Sequence, residues 1–126
     1  MRARFGYPRG MQLRTEIEIA APPAAVWAVL SNFVAYPEWN PFIVFVMGEP
    51  VVGSALELMI AVPNGKERTF RPTVLVAEPE RELRWLGHFL FRGLFDGEHF
   101  FKLVEVAPNR TRFVHGEDFS GILVRF

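Results

Sequence analysis

Apolar and charged residues alternate one by one along residues 13–19. Leu13, Thr15, Ile17 and Ile19 fall on one side, and Arg14, Glu16 and Glu18 fall on the other. A period of two is typical of a half-buried β-strand. The pattern therefore predicts that the ordered part of the chain begins with a strand that has one apolar face.

The pattern changes after residue 19 from strand to helix. Residues 20–23 read Ala-Ala-Pro-Pro, and proline suits the first turn of a helix. Val26, Trp27 and Leu30 have helical spacing, which predicts a helix over 24–30. Residues 33–39 predict a second short helix or a turn that ends at the dipeptide at 40–41, Asn-Pro.

The rest of the chain is predicted to form strands in series, joined by turn residues. The six ranges are 42–47, 55–62, 69–77, 82–89, 95–106 and 111–119. Pro72 inside the third range has no N–H to donate, which predicts an edge position or a bulge. Consecutive strands with short connections usually pair as an antiparallel meander, so we expect an α+β fold with a curved sheet around an apolar pocket.

Length and composition fit one domain that is rich in aromatic side chains. The chain has 126 residues, half of them hydrophobic, with 13 phenylalanines.

A net charge of zero argues against a dedicated nucleic-acid binder, and no apolar run is long enough to span a bilayer. The lack of cysteine fits a reducing cytosol, so we expect a cytoplasmic location. Residues 1–10 have no pattern and are interpreted as a disordered tail or an extension, with Met11 as a plausible start of the domain at 11–126.

Alternation along the later strands predicts which side chains face the pocket. The inward faces are aromatic, with two histidines and one glutamate among the rings, whereas the opposite faces are polar and are assigned to solvent. The predicted ligand-binding residues are Trp39, Phe42, Trp85, Phe89, His99, Phe101, Phe113, His115, Glu117 and Phe119. Trp39 has an equally good alternative, which is to anchor the turn before residue 40.

The residue that lies opposite His99 depends on the length of the hairpin loop at residues 108–110. A three-residue loop would place His99 opposite Phe119, and a five-residue loop would place it opposite Glu117. Either length puts His99, His115 and Glu117 on one face, and these three residues are the candidates for catalysis.

Three roles remain open for these polar residues. They could anchor a ligand inside an apolar pocket, act as a general acid–base pair, or form a satisfied structural cluster. Two histidines and a carboxylate also match the ligand inventory of some metal sites, but no metal motif or phosphate loop accompanies them. The sequence predicts neither a metal nor a cofactor.

Five segments in order resemble the START/polyketide-cyclase-like superfamily (SRPBCC), which has the helix-grip fold of the birch-pollen allergen. They are IEIAAPPAAVWAVL at 17–30, YPEWNPF at 36–42, PERELRW at 79–85, FDGEH at 95–99 and TRF at 111–113. The resemblance implies an antiparallel sheet of about seven strands that grips a long C-terminal helix over an apolar cavity. Only five residues follow Gly121, so we expect that helix to be absent here, the domain to be truncated and a homodimer to be an option.

The residues and the resemblance together favour the binding of a hydrophobic small molecule or lipid. A cyclase or dehydratase acting without a cofactor is the first alternative, and a protein-interaction module is the second. A closed cavity of about 300 Å³ or more with His115 and Glu117 in its wall would favour binding or catalysis over the interaction module.

Overall fold

The computed structural model describes residues 11–61, 65–88 and 96–120. The predicted tail at 1–10, Phe89 and the residues after Ser120 lie outside these ranges. The elements are β1 (Met11–Ile19), α1 (Pro23–Leu30), a 3₁₀ helix (Phe33–Ala35), α2 (Tyr36–Trp39), β2 (Ile43–Met47), β3 (Glu57–Ala61), β4 (Glu67–Phe70), β5 (Thr73–Glu78), β6 (Glu82–His88), β7 (Asp96–Ala107) and β8 (Arg110–Ser120).

The strands form two antiparallel sheets with two short helices after β1, so the predicted α+β fold is confirmed. One sheet has five strands in the order β1-β8-β7-β6-β5, and the other has three in the order β2-β3-β4. The edge strand β1 joins this arrangement by pairing with β8, the last described strand. Among the described residues, the longest helix is α1, with eight residues.

Pro72 divides the strand that was predicted over 69–77 into two. β4 and β5 are the last strands of different sheets, which raises the number of described strands to eight. The carbonyl of Pro72 still accepts a hydrogen bond from Leu56 N at 2.8 Å, and Val74 N donates to Ser54 O at 2.9 Å. Because proline has no N–H to continue a ladder, the chain leaves one sheet here and enters the other.

The hairpin between β7 and β8 adopts the second of the two predicted registers. His99 lies opposite Glu117, and Phe101 lies opposite His115. The turn itself is short, since Ala107 pairs with Arg110, and a register shift between Glu105 and Ala107 makes up the difference. A bulge of this kind adds one unpaired residue to a strand, so the structure reaches the expected pairing without a five-residue loop.

The hydrophobic core is formed by the inner face of the larger sheet, the helical segment and the smaller sheet. Its buried members are Leu30, Phe33, Tyr36, Ile43, Val46, Leu56, Leu58, Val74, Leu83, Trp85, Phe101 and Leu103. Tyr36 is fully buried, and its hydroxyl donates to Leu30 O, which satisfies its polar end. Phe33 meets Trp85 edge to face at 6.4 Å, which fastens the helical segment to β6.

The outer face of the larger sheet is less simply polar than the sequence predicts. Phe100 on β7 is only 1% exposed on that face. The Arg84 guanidinium lies 4.8 Å from the centre of the Phe100 ring and pairs with Glu82, Glu98 and Asp118 at 2.8, 2.9 and 3.1 Å. Charged side chains therefore cover this ring, as long polar side chains can cover apolar surface.

Replacing Gly116 with alanine should destabilise the fold through a clash inside the larger sheet. A Cβ at this position would lie 2.2 Å from Leu13 O and 2.7 Å from Phe100 Cζ. We expect Gly116→Ala to lower the free energy of unfolding by about 2–3 kcal/mol in urea denaturation.

Gly87→Ala is the matched control, because the nearest atom to its added Cβ is 3.8 Å away on Pro72. This change should lower the free energy of unfolding by less than about 1 kcal/mol. If both variants lose the same free energy of unfolding, the close approach of Leu13 O and Phe100 is not the reason that position 116 requires glycine.

Candidate functional site

Three neighbouring polar side chains project from β7 and β8 toward the inner face of the larger sheet. His99 Nε2 lies 2.6 Å from His115 Nε2, which is hydrogen-bonding distance. His99 Nδ1 lies 3.8 Å from Glu117 Oε2, which is close enough for charge attraction but too long for a hydrogen bond. The structure thus brings together the three residues that the sequence selected.

The three groups form a line rather than a ring of ligands. Glu117 lies on the Nδ1 side of His99, and His115 lies on its Nε2 side. The imidazole nitrogens and the carboxylate oxygens therefore do not converge on one point, as the ligand atoms of a metal ion must. Within the described part of the chain, no group of three or more His, Cys, Asp or Glu side chains is placed to hold a metal ion.

Aromatic rings fix the orientation of both imidazoles. Trp85 stacks on His99 with ring centres 5.3 Å apart and planes inclined by 16°. Phe101 stacks on His115 at 4.8 Å and 15°. Since stacked neighbours leave little room for rotation, the two rings are held with their Nε2 atoms facing each other.

Burial and the neighbouring imidazole make His115 a weak base. The pKa of His115 is lowered from 6.5 to about 4, first because its side chain is buried and second because the His99 imidazole is close, while the Glu117 carboxylate opposes the change. His115 is therefore neutral at pH 7. It carries one ring N–H and one lone pair, and it can both donate and accept a hydrogen bond.

A cavity of about 350 Å³ adjoins this cluster. It has the expected volume, but it is open to solvent rather than closed. Its wall is largely apolar and comes from β1, β7, β8 and the start of β2. The lining residues are Leu13, Arg14, Thr15, Asn40, Phe42, Ile43, His99, Phe101, His115, Gly116 and Glu117. Apolar walls with a few convergent polar groups are typical of small-molecule sites.

Five of the ten predicted ligand-binding residues line this cavity, namely Phe42, His99, Phe101, His115 and Glu117. Trp85 and Phe113 lie behind the wall, where they pack against Phe101 at 5.6 and 5.9 Å. Trp39 packs against Tyr36 at 4.8 Å and is 47% exposed, which fits its alternative role as an anchor of the turn. Phe119 lies opposite Gly97 in the ladder and is not part of the lining.

The contributions of β1 and of Asn40 to the cavity were not predicted from the sequence. Leu13 and Thr15 belong to the apolar face that alternation identified, but their place beside Glu117 and His115 follows from the pairing of β1 with β8. The Asn40 side-chain oxygen accepts hydrogen bonds from Phe42 N at 2.9 Å and Ile43 N at 2.8 Å. It thereby shapes the entry into β2, and the Asn-Pro dipeptide was its only signal in the sequence.

No described helix has the length and apolar character that a membrane crossing requires.

Solved structures with this fold include proteins of several kinds. A START superfamily protein from Mycobacterium smegmatis matches with a TM-score of 0.69 and 22% identity, over 86% of this chain and 76% of that one. The Zhui aromatase/cyclase from Streptomyces sp. R1128 matches at 0.71 and 20%, over 87% and 67%. Norcoclaurine synthase from Thalictrum flavum, solved with dopamine and hydroxybenzaldehyde, matches at 0.66 and 12%, over 87% and 69%. The chain spans a smaller share, 38%, of two di-domain aromatase/cyclases.

The comparison with curated proteins finds no match. The family model described as polyketide cyclase / dehydrase and lipid transport matches residues 11–126, which is nearly the whole chain. Together with the shared fold, this match confirms the resemblance that the five sequence segments indicated. The chain belongs to the polyketide cyclase / dehydrase and lipid transport family, within the START/polyketide-cyclase superfamily.

Proposed function

We propose that this protein binds a hydrophobic small molecule in the cavity between β1, β7, β8 and the start of β2. The observation that carries the proposal is the cavity of about 350 Å³, whose largely apolar wall includes His115 and Glu117. That volume lies at the lower end of the range for pockets that hold drug-sized ligands.

The chemistry of the wall favours a ligand with flat apolar surface. Phe101 is held in place by edge-to-face contact with Trp85, and Phe42 is more than half exposed at the cavity. Rigid aromatic walls bury ligand surface with little loss of side-chain freedom. Norcoclaurine synthase, solved with two small aromatic compounds, gives an example of such ligands in a protein of this fold.

An acid–base enzyme of the cyclase or dehydratase type is the second candidate, and the line from Glu117 through His99 to His115 favours it. A carboxylate beside one imidazole, which in turn contacts a second, can hold or move a proton at defined atoms. The aromatase/cyclase among the structural neighbours supports the same reading. A protein-interaction role is favoured least, because neither the cavity nor its polar cluster is needed for it.

The binding proposal predicts different effects for two similar residues on β1. Leu13 and Ile17 are 57% and 59% exposed on the same face of the strand, but only Leu13 lines the cavity. Leu13→Thr should weaken binding of the neutral fluorescent probe N-phenyl-1-naphthylamine about fivefold, because it removes apolar contact area. Ile17→Thr should leave the dissociation constant within about twofold.

Fluorescence titration of the purified protein measures both constants. Equal weakening in the two variants would mean that the probe binds the exposed face of β1 in general. Absence of saturable binding to the unsubstituted protein would contradict the binding proposal itself.

The histidine pair predicts a distinctive titration of His115. NMR of the imidazole protons should give His115 a pKa of about 4. His99→Phe should raise that pKa toward 6.5 without reaching it, because burial remains, and Glu117→Gln should lower the pKa further. Changes in the same direction in both variants would contradict the arrangement described here.

The same shift links His115 to stability. Between pH 6.5 and about 4 the unfolded chain binds a proton on His115 that the folded chain excludes. Stability is therefore lost as the pH falls through this window. His115→Phe should make the unfolding midpoint in urea less sensitive to pH between these limits, and an unchanged pH dependence would refute the link.

The enzyme candidate is tested on whatever molecule co-purifies with the chain. Mass spectrometry before and after incubation at pH 7 would show turnover. That turnover should be lost in Glu117→Gln and His115→Ala if the cluster performs acid–base chemistry. Retained ligand with no change of mass and no isomeric product would reject the enzyme candidate and leave the binding proposal standing.

A further inference from the structure

Most polar groups around the cavity already have partners. The Asn40 side-chain oxygen accepts two backbone N–H groups, and the Thr15 hydroxyl donates to His115 O at 3.4 Å. The Arg14 guanidinium binds the Glu16 carboxylate at 3.0 Å. Apart from the NH2 group of the Asn40 side chain, the polar groups of the lining that remain available to a ligand are therefore in the cluster of Glu117, His99 and His115.

Charge decides how the protons are arranged along this cluster. The Glu117 carboxylate favours a proton on the nearer nitrogen of His99, which is Nδ1 at 3.8 Å. His99 Nε2 then carries a lone pair and accepts the Nε2–H of His115 across 2.6 Å. Since His115 is neutral, its Nδ1 is left with a lone pair.

Both ends of the cluster are consequently hydrogen-bond acceptors. At one end stand the carboxylate oxygens of Glu117, whose side chain is 36% exposed, and at the other stands His115 Nδ1. Among the described lining residues, the cation of Arg14 is committed to Glu16. A ligand carboxylate would therefore approach Glu117 without a compensating positive charge, which is costly in an apolar site.

We infer, on the basis of the proposed function, that the ligand is a neutral aromatic molecule with a hydroxyl or amine hydrogen-bond donor, which Glu117 accepts. The aromatic part occupies the apolar wall next to Phe101 and Phe42. The donor sets the orientation, and the charge on Glu117 excludes carboxylates of the same shape. Glu117 is thus the specificity-determining residue of the site.

Three naphthalene derivatives test this inference, because they share the ring system and differ in the polar group. At pH 7, 2-naphthol offers a donor, 2-methoxynaphthalene has the oxygen without the donor, and 2-naphthoate is an anion. A hydrogen bond to a charged acceptor adds roughly tenfold or more to affinity. We expect 2-naphthol to bind about tenfold more tightly than 2-methoxynaphthalene, and 2-naphthoate to bind most weakly.

Glu117→Gln removes the charge and keeps the shape of the side chain. This variant should bind 2-naphthol about fivefold more weakly and 2-naphthoate about fivefold more tightly than the unsubstituted protein does. Glu105→Gln is the matched control, since Glu105 is an exposed residue on the same strand as His99 and does not line the cavity. It should leave both affinities within about twofold.

The possible outcomes distinguish a failure of the inference from a failure of the proposed function. Equal binding of 2-naphthol and 2-methoxynaphthalene by the unsubstituted protein would overturn the donor requirement but leave an apolar binding site in place. Equal effects of Glu117→Gln and Glu105→Gln would overturn the role of Glu117. If none of the three compounds binds, both the inference and the proposed function fail. If Glu117→Gln does not fold, the order of the three affinities measured on the unsubstituted protein still tests the requirement for a hydrogen-bond donor.

Discussion

The register of β7 against β8 is the constraint on which the site depends. In this register His99 faces Glu117 and Phe101 faces His115. A slip of one residue would turn every side chain of a strand to the opposite face. The bulge near the hairpin absorbs the extra residue, so the long ladder beyond it stays in phase. One local irregularity therefore keeps the whole polar cluster inside the fold.

The polar cluster is stable because the aromatic core surrounds it on one side. Trp85 and Phe101 belong to the core and also stack on the two imidazoles. Burial disfavours charge on His115, and its hydrogen bond with His99 provides one nitrogen of each ring with a partner. The same rings that hold the sheet to the helical segment therefore set the protonation state of the site.

The inner face of the larger sheet has two environments. Toward β6 it is filled by the helical segment, where Phe33 and Tyr36 pack against the sheet. Toward β1 it leaves the cavity, and Leu13 is more than half exposed there. A continuous sheet face thus provides a rigid core at one end and accessible apolar surface at the other. This division would allow the fold to hold the proposed ligand without disturbing its own packing.

The sequence by itself determined the type and order of the elements and the face on which each strand residue lies, because those features follow from local periodicity. It therefore identified His99, His115 and Glu117 as one cluster. It left two hairpin registers open, since a bulge has no reliable local signature. It also predicted one strand over 69–77 where Pro72 separates two, because a proline indicates an interruption of the strand but not the sheet that each part joins. Only the tertiary structure decided that Leu13 borders the cavity, since the pairing of β1 with β8 joins residues about a hundred positions apart.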